Sequence, residues 1–97
     1  MADYTMFEPD LWSQHLNTLK AIDVHLKPSA NKHDRVILLI EEAIKLGIRT
    51  DRSIVAALAK LGHNPKHVGK MLRDLCGNNP KRYRWRRDAE GFHHLFI

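Results

Sequence analysis

Apolar residues recur along this chain at two different periods. From Pro9 to Leu26, Leu11, Trp12, Leu16, Leu19 and Ile22 lie three or four positions apart, which stacks them in one stripe of a helix. A second such run, from Lys32 or His33 to Leu46, places Val36, Ile37, Ile40 and Ile44 on one face. A third, from Asp51 to Leu61, turns Ile54, Val55, Leu58 and Leu61 inward. A fourth starts at Pro65, reaches residue 76, and gathers Val68, Met71, Leu72 and Leu75 in one sector.

The residues between these runs are those that start and stop helices. "KPSAN", 27–31, interrupts the first run, and Asn31 with Asp34 in the following turn suits a helix N-terminus. Gly47 and Gly62 follow the second and third runs, where a left-handed residue ends a helix. Thr50 is a favoured N-cap for the third helix. Asn64 followed by Pro65 opens the fourth, because Asn accepts from free amides and Pro at the first helical position loses no hydrogen bond.

After Leu75 the period falls to two. "GNNP", 77–80, is a cluster of turn formers, and "KRYRWR" then alternates, with Tyr83 and Trp85 on one side and Arg82, Arg84 and Arg86 on the other. "RDAEG" suits a short loop, and "FHHLFI" suits an antiparallel return. The pattern predicts a mainly α fold with a small C-terminal β-hairpin. Its 97 residues suffice for one domain with a modest core.

Charge changes this picture. On the fourth helix Lys66, Lys70 and Arg73 fall opposite the apolar sector, and Lys81, Arg82, Arg84, Arg86 and Arg87 follow within seven residues. Between Asn64 and Arg87 eight Lys or Arg face one acid, Asp74, a charge of +7 in a chain whose total is +5. The remainder carries −2. Cations on a helix surface are ordinary as a solvated face, but concentration in one segment points to an anionic partner. Residues 1–30, with Asp3, Glu8, Asp10 and Asp23 against Lys20 and Lys27, sum to −2 and would not help to bind nucleic acid.

Other chemistry is sparse. No run approaches the roughly 18 to 20 apolar residues needed to span a bilayer, and "MADYTMFEPD" lacks the basic then apolar order of a secretory signal. The expectation is a soluble, intracellular, cytoplasmic protein that does not engage membranes. The single Cys76 cannot close an intramolecular disulfide and reads as a buried structural thiol. Of seven histidines, His63 with His67 and the pair His93 and His94 come nearest to a metal set. Pro65 breaks the first pair's helical face and no second cysteine completes a tetrahedron, so no metal is expected. No phosphate-cradling glycine loop, nucleophile elbow or catalytic carboxylate pair is visible, which predicts neither enzyme nor cofactor.

The order of helix, short helix, turn with Gly62, basic helix and basic hairpin resembles the winged helix-turn-helix family of DNA-binding domains over roughly residues 33–97. Val68 and Met71 match the inward residues of a recognition helix, Ile48 a short third strand, and "RYRWRRDAEGFHHLF" the wing. One departure is Leu58, four residues before the turn glycine, where such motifs place a small residue; Ala57 is its neighbour. The resemblance implies a winged helix-turn-helix domain over 31–97 behind an extra N-terminal helix in 1–30. It further implies double-stranded DNA as partner, transcriptional regulation as role, and a nucleoid-associated location. Lys66, His67, Lys70 and Arg73 would then face the major groove, and Lys81, Arg82, Arg84, Arg86 and Arg87 the flanking backbone.

Three alternatives stand beside these expectations. Tyr83 and Trp85 could stack on unpaired bases, although same-side aromatics in a hairpin that covers helices more often pack inward. The N-terminal helix either completes the core or forms a homodimer contact that spaces two recognition helices. Finally, the same scaffold could serve as a protein-interaction module whose basic surface docks on an acidic protein.

Overall fold

In the computed structural model, which describes residues 9–96, the chain forms four helices and a hairpin. They are α1 (Pro9–Leu26), α2 (Lys32–Leu46), α3 (Asp51–Lys60), α4 (Pro65–Asp74), β1 (Trp85–Arg87) and β2 (His93–Leu95). Asp3 and Glu8, counted above among the acids, and the terminal Ile97 lie outside the described residues. No helix among the described residues is long and apolar enough to cross a membrane.

The helix boundaries follow from local hydrogen bonding. Asn31 Oδ1 accepts from the Asp34 amide at 2.8 Å, Thr50 Oγ1 from the Ser53 amide at 3.1 Å, and Asn64 Oδ1 from the Lys66 amide at 2.9 Å. Ser53 Oγ accepts in return from the Thr50 amide, so α3 opens with a reciprocal capping box. Gly47 and Gly62 both adopt the left-handed conformation, φ 99° and 94°. In each case the next residue folds back: Ile48 N donates to Ala43 O at 2.9 Å, and His63 N to Leu58 O at 3.0 Å. These are Schellman closures, in which glycine avoids the steric cost of positive φ.

One core serves the whole described chain. Leu19 from α1, Leu39 and Ile40 from α2, Ile54 and Leu58 from α3, Val68 from α4 and Trp85 from β1 are all fully buried. Trp12, Leu16 and Ile22 pack against that cluster, so the predicted N-terminal extension is built into the same core as the rest. Leu58 and Ala57 are both fully buried. Leu61 is half-buried and caps α3 from outside it.

The fold departs from the predicted pattern in three places. α4 ends at Asp74, short of residue 76, because the chain beyond it turns to the hairpin: Arg84 N donates to Leu75 O at 3.0 Å and Gly77 N to Trp85 O at 3.0 Å. The strand begins only at Trp85. Asn79 holds residues 80–83 in a turn, its side chain accepting from Lys81 N at 3.0 Å and its carbonyl from Arg82 N and Tyr83 N at 3.0 and 2.9 Å. Tyr83 is half-buried beside Gly77, where a Cβ would run into its ring. The predicted third strand residue, Ile48, is instead a buried core side chain. The third edge sits just after it, with Arg49 O accepting from His93 N at 2.7 Å and Thr50 bridging Phe92.

Candidate nucleic-acid interface

Burial of Val68, Met71 and Leu72 fixes how α4 sits, and their opposite face carries Lys66, Lys70 and Arg73 as exposed side chains. Lys66 pairs with no carboxylate among the described residues. Lys70 Nζ lies 2.7 Å from Asp74 Oδ2, and Arg73 Nε lies 3.7 Å from Asp74 Oδ1. The Lys70 hydrogen bond holds the Asp74 carboxyl below its usual range. Exposed pairs of this kind contribute roughly 0 to 1 kcal/mol, so both cations can be recruited by a competing anion. His67 stands off this row: it is half-buried, and its ring lies 5.6 Å from that of His33 at the start of α2.

The hairpin divides the remaining cations between two faces. The register pairs Trp85 with Leu95, Arg86 with His94 and Arg87 with His93. Alternation therefore turns Arg87 to the same side as buried Trp85, and Arg86 to the other. Arg87 reaches Asp51 at the start of α3, with its Nη1 3.0 Å from Asp51 Oδ2. Arg73 and Arg87 line one cleft of about 550 Å³ between α3, α4 and the hairpin. Arg84 pairs instead with Glu41 of α2 at 3.2 Å, and Arg86 lines a smaller depression of about 240 Å³ with Lys45, Arg49 and His94. Lys81 and Arg82 are exposed on the preceding turn, the Arg82 guanidinium 5.6 Å from the Tyr83 ring centre.

The loop joining the strands is held by one carboxylate. Asp88 Oδ1 accepts from Glu90 N at 2.9 Å and from Phe92 N at 3.0 Å, while Oδ2 meets His94 Nε2 at 2.8 Å. The His94 contact, then the backbone amides, depress the Asp88 pKa to about 2. His93, next in the strand, is buried and bonds Asp51 through Nε2, so Asp51 ties both Arg87 and His93 to α3. Cys76 is half-buried at the cleft wall and not fully enclosed as predicted. Burial is the main influence that raises its pKa, and Arg87 opposes it.

Lys45 and Arg49, which extend the basic surface beside Arg86, are missed by sequence reasoning. They lie 41 and 37 residues before Arg86 in the chain, and only folding joins them to it. Asp51 and His93 are likewise brought together across 42 residues of chain. No family model, curated protein or solved structure matches the chain.

Proposed function

We propose that this is a small winged helix-turn-helix DNA-binding protein that acts as a cytoplasmic, nucleoid-associated transcriptional regulator. α4 enters the major groove and the hairpin lies along the flanking backbone. The observation that carries the reading is the outward face of α4. Lys66, Lys70 and Arg73 project from a helix whose other side is locked into the core, and a cationic hairpin stands next to it. A helix fits the major groove, and Lys or Arg at its surface can pair with phosphates or with the acceptor pair of guanine. Arg86 with Lys45 and Arg49 supplies a second cationic surface suited to backbone contact. A homodimer through α1 would have to use the face that carries exposed Val24, because Leu19 is fully buried and Trp12, Leu16 and Ile22 pack against the core.

A second reading, a module that docks on an acidic protein, is favoured by the pairing of Arg84 with Glu41 and of Arg87 with Asp51. Hairpin cations that already accept carboxylates within the chain could accept them from a partner. Fluorescence anisotropy with random duplex, random single strand and genomic fragments at low salt tests the first reading. Duplex binding with a steep salt dependence is expected, and no binding to any of the three would leave the acidic-partner reading in its place.

A further inference from the structure

The cleft between α3, α4 and the hairpin is lined by both apolar and charged side chains, two arginines against one carboxylate. Val55 of α3, Leu72 of α4 and Cys76 form the apolar part of its lining, and Arg73 of α4, Arg87 of β1 and the Asp51 carboxylate of α3 the charged part. Its volume of about 550 Å³ lies within the roughly 300 to 1,000 Å³ usual for small-molecule sites. The two guanidinium groups are not equivalent. Arg87 is engaged by Asp51, whereas Arg73, with a side chain 76 % exposed, has only the 3.7 Å approach to Asp74. The cleft therefore has one cation to spare.

Gly69 supplies an independent observation. It lies in the middle of α4 and also lines this cleft. Its φ is not positive, and a Cβ built there meets no atom within 4 Å. Neither backbone conformation nor packing requires glycine, which is the weakest helix former after proline. The absence of a side chain at this point keeps the cleft open beside Arg73.

We propose that this cleft binds a small organic monoanion, a carboxylate on an aromatic or short aliphatic body. Arg73 takes the carboxylate and Val55, Leu72 and Cys76 take the body. A guanidinium fork matches a carboxylate in a bidentate manner, and the apolar part of the lining rewards a hydrocarbon body in a way that a phosphodiester backbone cannot use. The site stands or falls independently of DNA binding, although an occupant would engage Arg73 on the proposed groove face.

Titration of the ¹⁵N-labelled protein with 2-naphthoate, followed by amide chemical shifts, tests the proposal. Saturable shifts are expected around Val55, Gly69, Leu72, Cys76 and Arg87, with the neutral 2-naphthamide at least about tenfold weaker, the order expected for removal of one charge-assisted hydrogen bond. Arg73→Gln should weaken 2-naphthoate to a similar degree. Gly69→Leu, whose side chain enters open space, should abolish binding while melting no lower than the parent; Gly69→Ala, a smaller intrusion, should weaken it. No shifts at millimolar naphthoate, equal binding of acid and amide, or undiminished binding by Gly69→Leu would each overturn the site. If Gly69→Leu binds naphthoate as the parent does but loses duplex, the opening serves nucleic acid and the proposal is wrong.

Discussion

The indole Nε1 of Trp85 donates to the backbone carbonyl of Leu72 at 3.0 Å. Leu72 lies in the last turn of α4, where carbonyls have no helical partner, so a strand residue completes the end of the helix that carries the cationic face. Trp85 is also fully buried in the core. Hairpin and α4 are thereby joined by both packing and a hydrogen bond.

Replacing Trp85 by Phe should remove mainly that hydrogen bond and cost about 1 to 3 kcal/mol, because the Leu72 carbonyl is left buried and unpaired. Trp85→Ala adds a cavity and should cost about 3 to 5 kcal/mol. Urea unfolding at constant slope measures both. Trp85→Ala as stable as the parent would show that the hairpin does not cover the helices.

Asp23 of α1 contacts Arg35 of α2 at 3.2 Å and His63, in the turn before α4, at 3.0 Å. The three side chains are only 14, 13 and 3 % exposed, so removing the carboxylate strands two nitrogen groups in a poorly hydrated place. Asp23→Ala should cost about 3 to 5 kcal/mol, as loss of one partner from a buried pair does. A double-mutant cycle of Asp23→Ala with His63→Ala should show strong coupling, and additive losses would mean that the pairing carries no energy.

Asp88 sets an acid-side limit on the hairpin. Its pKa in the folded chain is about 2, below the ordinary value near 4, so its stabilisation is complete above that ordinary value. It should be lost as pH falls from about 4 to about 2. Amide protection factors in β1 and β2, corrected for intrinsic exchange, should fall through that window in the parent, and Asp88→Asn should flatten the dependence. Protection factors in the parent hairpin that do not change across this range would contradict the assignment.

Lys70→Ala and Arg73→Ala should leave stability within about half a kcal/mol, as exposed substitutions do. In the DNA-binding reading each should weaken duplex binding, by about 1 to 3 kcal/mol if it reaches a base edge. Arg86→Ala should weaken all duplexes alike and lower the slope of log affinity against log salt by about 0.9 for each phosphate it no longer neutralises. Asp74→Asn should act in the opposite sense. It frees Lys70 and Arg73 and removes an acid from a helix C-terminus, where the dipole disfavours it, so affinity should rise with little change in stability. Unchanged binding in Lys70→Ala and Arg73→Ala, with reduced binding in Arg86→Ala, would move the binding surface from α4 to the hairpin side.

What the sequence determined by itself was everything decided within a few residues of chain. Asn31, Thr50 and Asn64 start helices, and Gly47 and Gly62 stop them, because each bond involved closes over two to five positions. The apolar period then assigns faces, which is why Val68, Met71 and Leu72 lie inward and Lys66, Lys70 and Arg73 outward as the pattern requires. Tertiary structure decided where α4 stops and where the strand starts, since the Leu75 carbonyl accepts from Arg84 N and Gly77 N donates to the Trp85 carbonyl. It also chose the carboxylate partners of Arg84 and Arg87. Arg87 goes to Asp51 over the cleft and Arg84 to Glu41 on α2, choices set by carboxylates 36 and 43 residues away. A local period specifies which side of an element a residue occupies, but its partner is a matter of which elements the shared core brings within hydrogen-bonding reach.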